Sequence, residues 1–176
     1  FVDVVPAAGS ESRPGEWIEA IPGRVRFMPL LSEHAPHIGH IKLFGGERTV
    51  PLARLPRRAS GWKEGRTLAF LIDFLADDRS VDARIHYQDA ASRPPLGFAP
   101  TSVLAQRPID VAILCAASFN LAPDYPTGLV RSQRPAFLLV GHWEDFFTSP
   151  DLPVRTVRGT SIRRFLRLLT RPWRML

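Results

Sequence analysis

With 176 residues, 45% of them hydrophobic and 23% charged, the chain fits one domain with a core of its own and is too apolar for wholesale disorder. Its one cysteine, Cys115, excludes an internal disulfide and a cysteine-based zinc cluster, so any metal has to rest on His, Asp and Glu. The net charge of +6 is concentrated at one end: Arg155, Arg158, Arg163, Arg164, Arg167, Arg171 and Arg174 all follow the last acid, Asp151. Removing those seven from the 23 Lys and Arg leaves 16 against 17 Asp and Glu, a balance of −1 for the preceding part.

No apolar run approaches the roughly 20 residues of a membrane-spanning helix, and no charged-then-apolar leader opens the chain. Because it begins abruptly on Phe1 with "FVDVV", the chain is expected to be part of a longer protein.

In chain order, Val25–Leu31 ("VRFMPLL") reads as a strand, and "IKLF", Gly45-Gly46 and "ERTVPL" read as a hairpin turning at the glycines, which Pro51 and Pro56 then break. "TLAFLIDF" from Thr67 to Phe74 is a strand that "ADDRSVD" turns back into "ARIHYQD". "DVAILCAA" from Asp110 and "AFLLVGH" from Ala136 are continuous apolar runs, and that continuity points to strands covered on both faces. Short helices are expected around Thr101–Gln106 and Thr127–Gln133. "ARLPRRAS" and "ASRPPLG" read as loops. In the tail, Ile162, Phe165, Leu166 and Leu169 recur at helical spacing behind Thr160-Ser161. They predict an amphipathic helix over 160–170 with an arginine face. Alternating strand and helix is the layout of a layered α/β domain.

Chemistry-bearing residues fall at the strand ends. His34 follows "RFMPLL", Asp89 follows "ARIHY" and His142 follows "AFLLV". In open α/β sheets sites assemble beyond the carboxyl ends of strands, and imidazole with carboxylate suits zinc and similar cations. Each has an ordinary reading as well: a histidine at a strand end is commonly a hydrogen-bonded surface or core residue, and Asp89 can cap a turn. That ordinary reading is the one taken for His37, His40 and His86.

"LLSEHAPHIG", "GRTLAFLIDF", "RIHYQDAAS", "PIDVAILCAASF" and "LLVGHWEDFF" together resemble the C-terminal half of a metallo-β-lactamase-fold hydrolase, over nearly the whole chain. The resemblance implies an α/β fold: the C-terminal half of an αββα sandwich, a mixed sheet with flanking helices, in one partial domain spanning 1–176. It implies that His34, Asp89 and His142 are metal ligands. Asp89 would bridge two divalent ions, zinc or alternatively iron or manganese, and orient the water that attacks a carbonyl or phosphoryl centre of a small-molecule substrate. Trp143, Phe146 and Phe147 would wall the substrate pocket, or simply pack beneath it, and Glu144 and Asp145 would either bond a ligand imidazole or face solvent.

The family's HxHxDH cluster occurs nowhere in the chain. The expectation is therefore a hydrolase of ester, lactone or phosphodiester type of which this chain holds half the active site and is inactive alone. The alternative is a binding module that lays its basic C-terminal helix on an anionic membrane surface or on nucleic acid.

Overall fold

The computed structural model describes residues 4–37, 39 and 41–170. His40 and, in the tail, Arg171, Trp173 and Arg174 lie outside the described residues. The elements are β1 (Ile18–Ile21), β2 (Val25–Leu31), β3 (Leu68–Leu75), β4 (Val81–Gln88), α1 (Thr101–Gln106), β5 (Val111–Cys115), α2 (Thr127–Gln133), β6 (Phe137–Gly141) and α3 (Ile162–Thr170). One six-stranded sheet takes the strands in sequence order; β1 to β4 are antiparallel neighbours, whereas β4, β5 and β6 run parallel. Parallel neighbours need a crossover, and α1 and α2 supply the two. The protein is a mixed α/β fold.

Side chains alternate across each strand, and the two faces have different fates. Ala69, Leu71, Asp73 and Leu75 of β3 point into the core together with Met28, Leu30, Ala112 and Leu114. Val103 of α1, Leu129 and Val130 of α2, and Phe165 and Leu169 of α3 pack into that same core, so all three helices cover one face.

The opposite face carries Phe27, Phe70, Ile72, Ile85, Ile113 and Leu139 on neighbouring strands. It lacks such a cover among the described residues: Phe74, Leu139 and Phe137 are 42%, 55% and 69% exposed. The expectation that β5 and β6 are covered on both faces is thus corrected. Their runs are apolar because both faces are apolar, yet only one is buried here.

A buried ion network fixes the register of β3 on β4. Arg84 donates Nε and Nη2 to the two Asp73 oxygens at 2.7 and 2.9 Å, while its Nη1 donates to the carbonyls of Val103 and Arg107 at 3.0 and 2.8 Å. One buried guanidinium therefore neutralises a buried carboxylate and satisfies the last carbonyls of α1. Arg26 adds a second cation on Asp73, and the Trp17 ring lies over both arginines at 4.3 and 5.4 Å. A one-residue slip of β4 would turn Arg84 to the other face and leave the buried Asp73 without its bidentate partner, which sets the register in which β4 ends at Gln88, just before Asp89.

Two further corrections concern local structure. The expected hairpin after Ile41 is absent. The Phe44 and Gly46 carbonyls accept from Glu64 and Gly65 instead of from 47–52, and Ile41, Val50 and Leu55 stay exposed. The chain bends at Phe44 and Gly46, both at positive φ, but the segment beyond, with Pro51 and Pro56, finds no strand partner among the described residues. Conversely, β1 carries no sequence signal above its neighbours: it is four residues long, irregular between Glu19 and Ile21, and at the sheet edge. The helices stand where the sequence puts them, and Ser161 Oγ accepts the Arg164 N–H at 3.4 Å as an N-cap of α3.

Candidate functional site

β2, β4, β5 and β6 all point the same way, because β2 and β4 are each antiparallel to β3 and β5 and β6 continue parallel to β4. Their carboxyl ends share one edge of the sheet, and His34, Asp89 and His142 lie one to three residues beyond it.

At that edge β4 and β6 meet over the end of β5. His142 Nδ1 lies 3.4 Å from Asp89 Oδ1 and 3.3 Å from the Asp89 carbonyl oxygen. Both oxygens are acceptors, so the ring proton belongs on Nδ1 and the lone pair on Nε2. An imidazole that gives its Nδ1 proton to a carbonyl or carboxylate and keeps Nε2 bare is the form that binds a cation. The backbone of His142 is left-handed, at φ 50°. A non-glycine residue held there is uncommon and persists where the surrounding structure dictates it. Here the dictating contacts are the Ala116 N–H on the Gly141 carbonyl at 3.0 Å before it and the pairing of Glu144 with Thr156 after it.

His34 has the same tautomer but different company. Its Nδ1 is 2.6 Å from the Ala35 carbonyl, again leaving Nε2 as the lone-pair nitrogen, and its ring stacks on His37 at 4.8 Å with 14° between planes. Among the described residues it bonds neither Asp89 nor His142. Among the described residues, no three or more His, Cys, Asp or Glu are grouped so as to hold a metal ion. Of the three residues the sequence singles out, two are brought together and the third shares their edge.

The aromatic residues after His142 divide. Trp143 packs against the core, whereas Phe147 is 85% exposed and Phe146 stands edge-on to the His142 ring at 5.5 Å. Glu144 accepts the Trp143 N–H at 2.9 Å and Asp145 the Phe147 N–H at 3.1 Å, so both carboxylates shape their own turn and neither bonds an imidazole. His86 behaves as the ordinary reading has it. It is buried in the core, 2.8 Å from the Gly97 carbonyl through Nε2, and burial pushes its pKa down to about 4. Gly97 is itself required there: φ is +80°, and a Cβ would come within 2.8 Å of the Gln88 side chain.

Sequence reasoning missed Tyr87. It lies on the open face, between Phe70 and Ile113, two residues before Asp89 on the same strand face. Burial first, then the Asp89 charge, hold its hydroxyl above the usual tyrosine range. The two-residue spacing of Tyr87 and Asp89 on one strand face was the available signal. Cys115, at the end of β5 and largely buried, has its thiol pushed up to about 12, mainly by burial with a contribution from Asp89, and is an inert thiol.

Set beside family models, curated proteins and solved structures, the chain matches none. The site therefore rests on its own chemistry. The C-terminal helix is anchored by its apolar side: α3 turns Phe165 and Leu169 into the core, where Phe165 meets Phe119 at 5.2 Å and Tyr125 at 6.2 Å. That apolar stripe is committed to packing, and the arginines of the helix face outward. Among the described residues, no helix is long and apolar enough to cross a membrane.

Proposed function

We propose that this chain is one half of an αββα sandwich of the metallo-β-lactamase type, and that the complete unit is a metal-dependent hydrolase acting on an ester, lactone or phosphodiester. The observation that carries the reading is the meeting of His142 with Asp89 over the end of β5, with the imidazole in the cation-binding tautomer. The uncovered apolar face supports it, since an αββα sandwich stacks a second sheet on a surface of this kind.

On this reading Asp89, His142 and His34 hold divalent ions of the zinc class, and the remaining ligands come from the layer that covers the open face. Bound metal would supply Lewis acidity and water made acidic enough to act near neutral pH. The chain's own residues do the rest. The Asp89 carboxylate, mostly exposed at the edge, orients the attacking water. His142 is aimed by its Nδ1 proton. Phe146 screens its outer side from solvent.

The test is hydrolysis of ester, lactone and phosphodiester panels by the protein in which the open face is covered. Asp89→Ala and His142→Ala should abolish turnover. Asp77→Asn, which opens a solvent-exposed pair with Arg24 at the far end of the sheet, should leave it intact. Wild-type turnover in a folded Asp89→Ala protein would make Asp89 a turn residue.

A further inference from the structure

At the sheet edge that carries His142 and Asp89, the segments following its strands wall a recess of about 270 Å³. One wall, His37 and Gly39, follows β2; a second, Ala117, Ser118 and Asn120, follows β5; the third, Val157 to Thr160, lies beyond β6. The third wall is tied to the candidate site directly, because the Val157 N–H donates to the Trp143 carbonyl at 2.9 Å, one residue past His142. The first is tied to it by the stack of His37 on His34.

Every polar side chain of this recess can donate a hydrogen bond. The Leu43 N–H donates to His37 Nδ1 at 3.1 Å, which puts the ring proton on Nε2 and makes His37 a donor, the opposite of His34 and His142. Arg158 brings a guanidinium with no carboxylate partner among the described residues, and Ser118, Asn120 and Thr160 add hydroxyls and an amide. No acidic side chain lines the recess. A concavity that gathers a planar cationic fork and neutral donors, with no anion of its own, is complementary to an oxyanion. Ser118 at φ 55° and Gly159 at φ +81° hold the two turns that present these donors.

We propose that this recess is an oxyanion subsite, and that it takes a carboxylate or phosphate group of the substrate whose reacting bond lies at the His142–Asp89 edge. The link to a substrate rests on the hydrolase reading above; the capacity to bind an oxyanion does not. Arg158 pairs with the anion, and His37 and Ser118 donate to it from the two other walls. The donors thereby select an anionic substrate and set its register against Asp89.

The experiment is amide NMR of the 176-residue chain with chelator present and no metal, titrated with inorganic phosphate in one arm and acetate in the other at constant ionic strength. Saturable shifts confined to Ser118, Asn120, Gly159 and their neighbours are expected in at least one arm, and the arm that saturates names the oxyanion. Arg158→Gln should weaken that binding about tenfold, as loss of one charge-assisted pair does. Arg158→Lys should recover part of it, and Arg163→Gln on the outer face of α3 should change nothing. Asp89→Asn should also leave binding intact, so a failed metal site and a failed anion site read out separately. Shifts that never saturate, that spread over the α3 arginines, or that survive Arg158→Gln unchanged would overturn the proposal.

Discussion

His142 reaches Asp89 across the end of a strand that carries neither residue. The 3.4 Å from Nδ1 to Oδ1 spans β5, which lies between β4 and β6, and the two residues are 53 apart in sequence. Asp89 is largely open to water and His142 partly so. An exposed pair of this kind contributes at most about 1 kcal/mol to folding. His142→Ala and Asp89→Asn are therefore expected to lower stability in urea by no more than that. A loss of several kcal/mol from either would mean the pair is a structural clamp.

His86 is where pH should act on stability. Burial lowers its pKa from 6.5 to about 4, so below pH 6.5 the unfolded chain takes up a proton that the folded one refuses. This contribution is whole above pH 6.5, declines as the pH falls, and has cost about 3 kcal/mol once pH 4 is passed. Urea melts of wild type and His86→Leu at pH 7 and 4.5 check it: the wild type should lose more on acidification than the variant does. Equal losses would show that His86 is not the titrating group.

The uncovered sheet face makes a prediction about association. Phe137 and Leu139 stand on β6 with more than half of their surface in water, beside Ile113 and Ile85. The chain alone should self-associate in a concentration-dependent way, and Phe137→Glu with Leu139→Glu should suppress this in sedimentation velocity while stability changes by no more than about 1 kcal/mol. Unchanged association in the double variant would mean that the contact runs elsewhere.

Much of this fold was legible because its signals are local. The buried run of β3, the Asp77–Asp78 turn into β4 and the spacing of Ile162, Phe165 and Leu169 each specify an element within ten residues or so. The failures are of another kind. "IKLF" and "ERTVPL" look like strands, yet whether they pair is decided by what lies beside them, and Glu64 and Gly65 took the backbone groups they needed. Apolar runs in β5 and β6 cannot say whether a face is buried or merely apolar. For the site, strand-end position was enough to single out Asp89 and His142. It carried no information on distance, which is why His34 has the right edge and tautomer without joining the pair. Tyr87 was missed because a tyrosine inside a strand reads first as packing.

The most direct measurement is paramagnetic broadening by manganese of the amide and imidazole signals of the 176-residue chain, which detects even a weakly held ion. A trace of Mn²⁺ should first broaden the signals of His142, Asp89 and Ala90, and His142→Ala with Asp89→Asn should abolish that pattern while the fold persists. Broadening that centres on other acidic residues, or that is the same in the double variant, would contradict the assignment of this edge as a metal site.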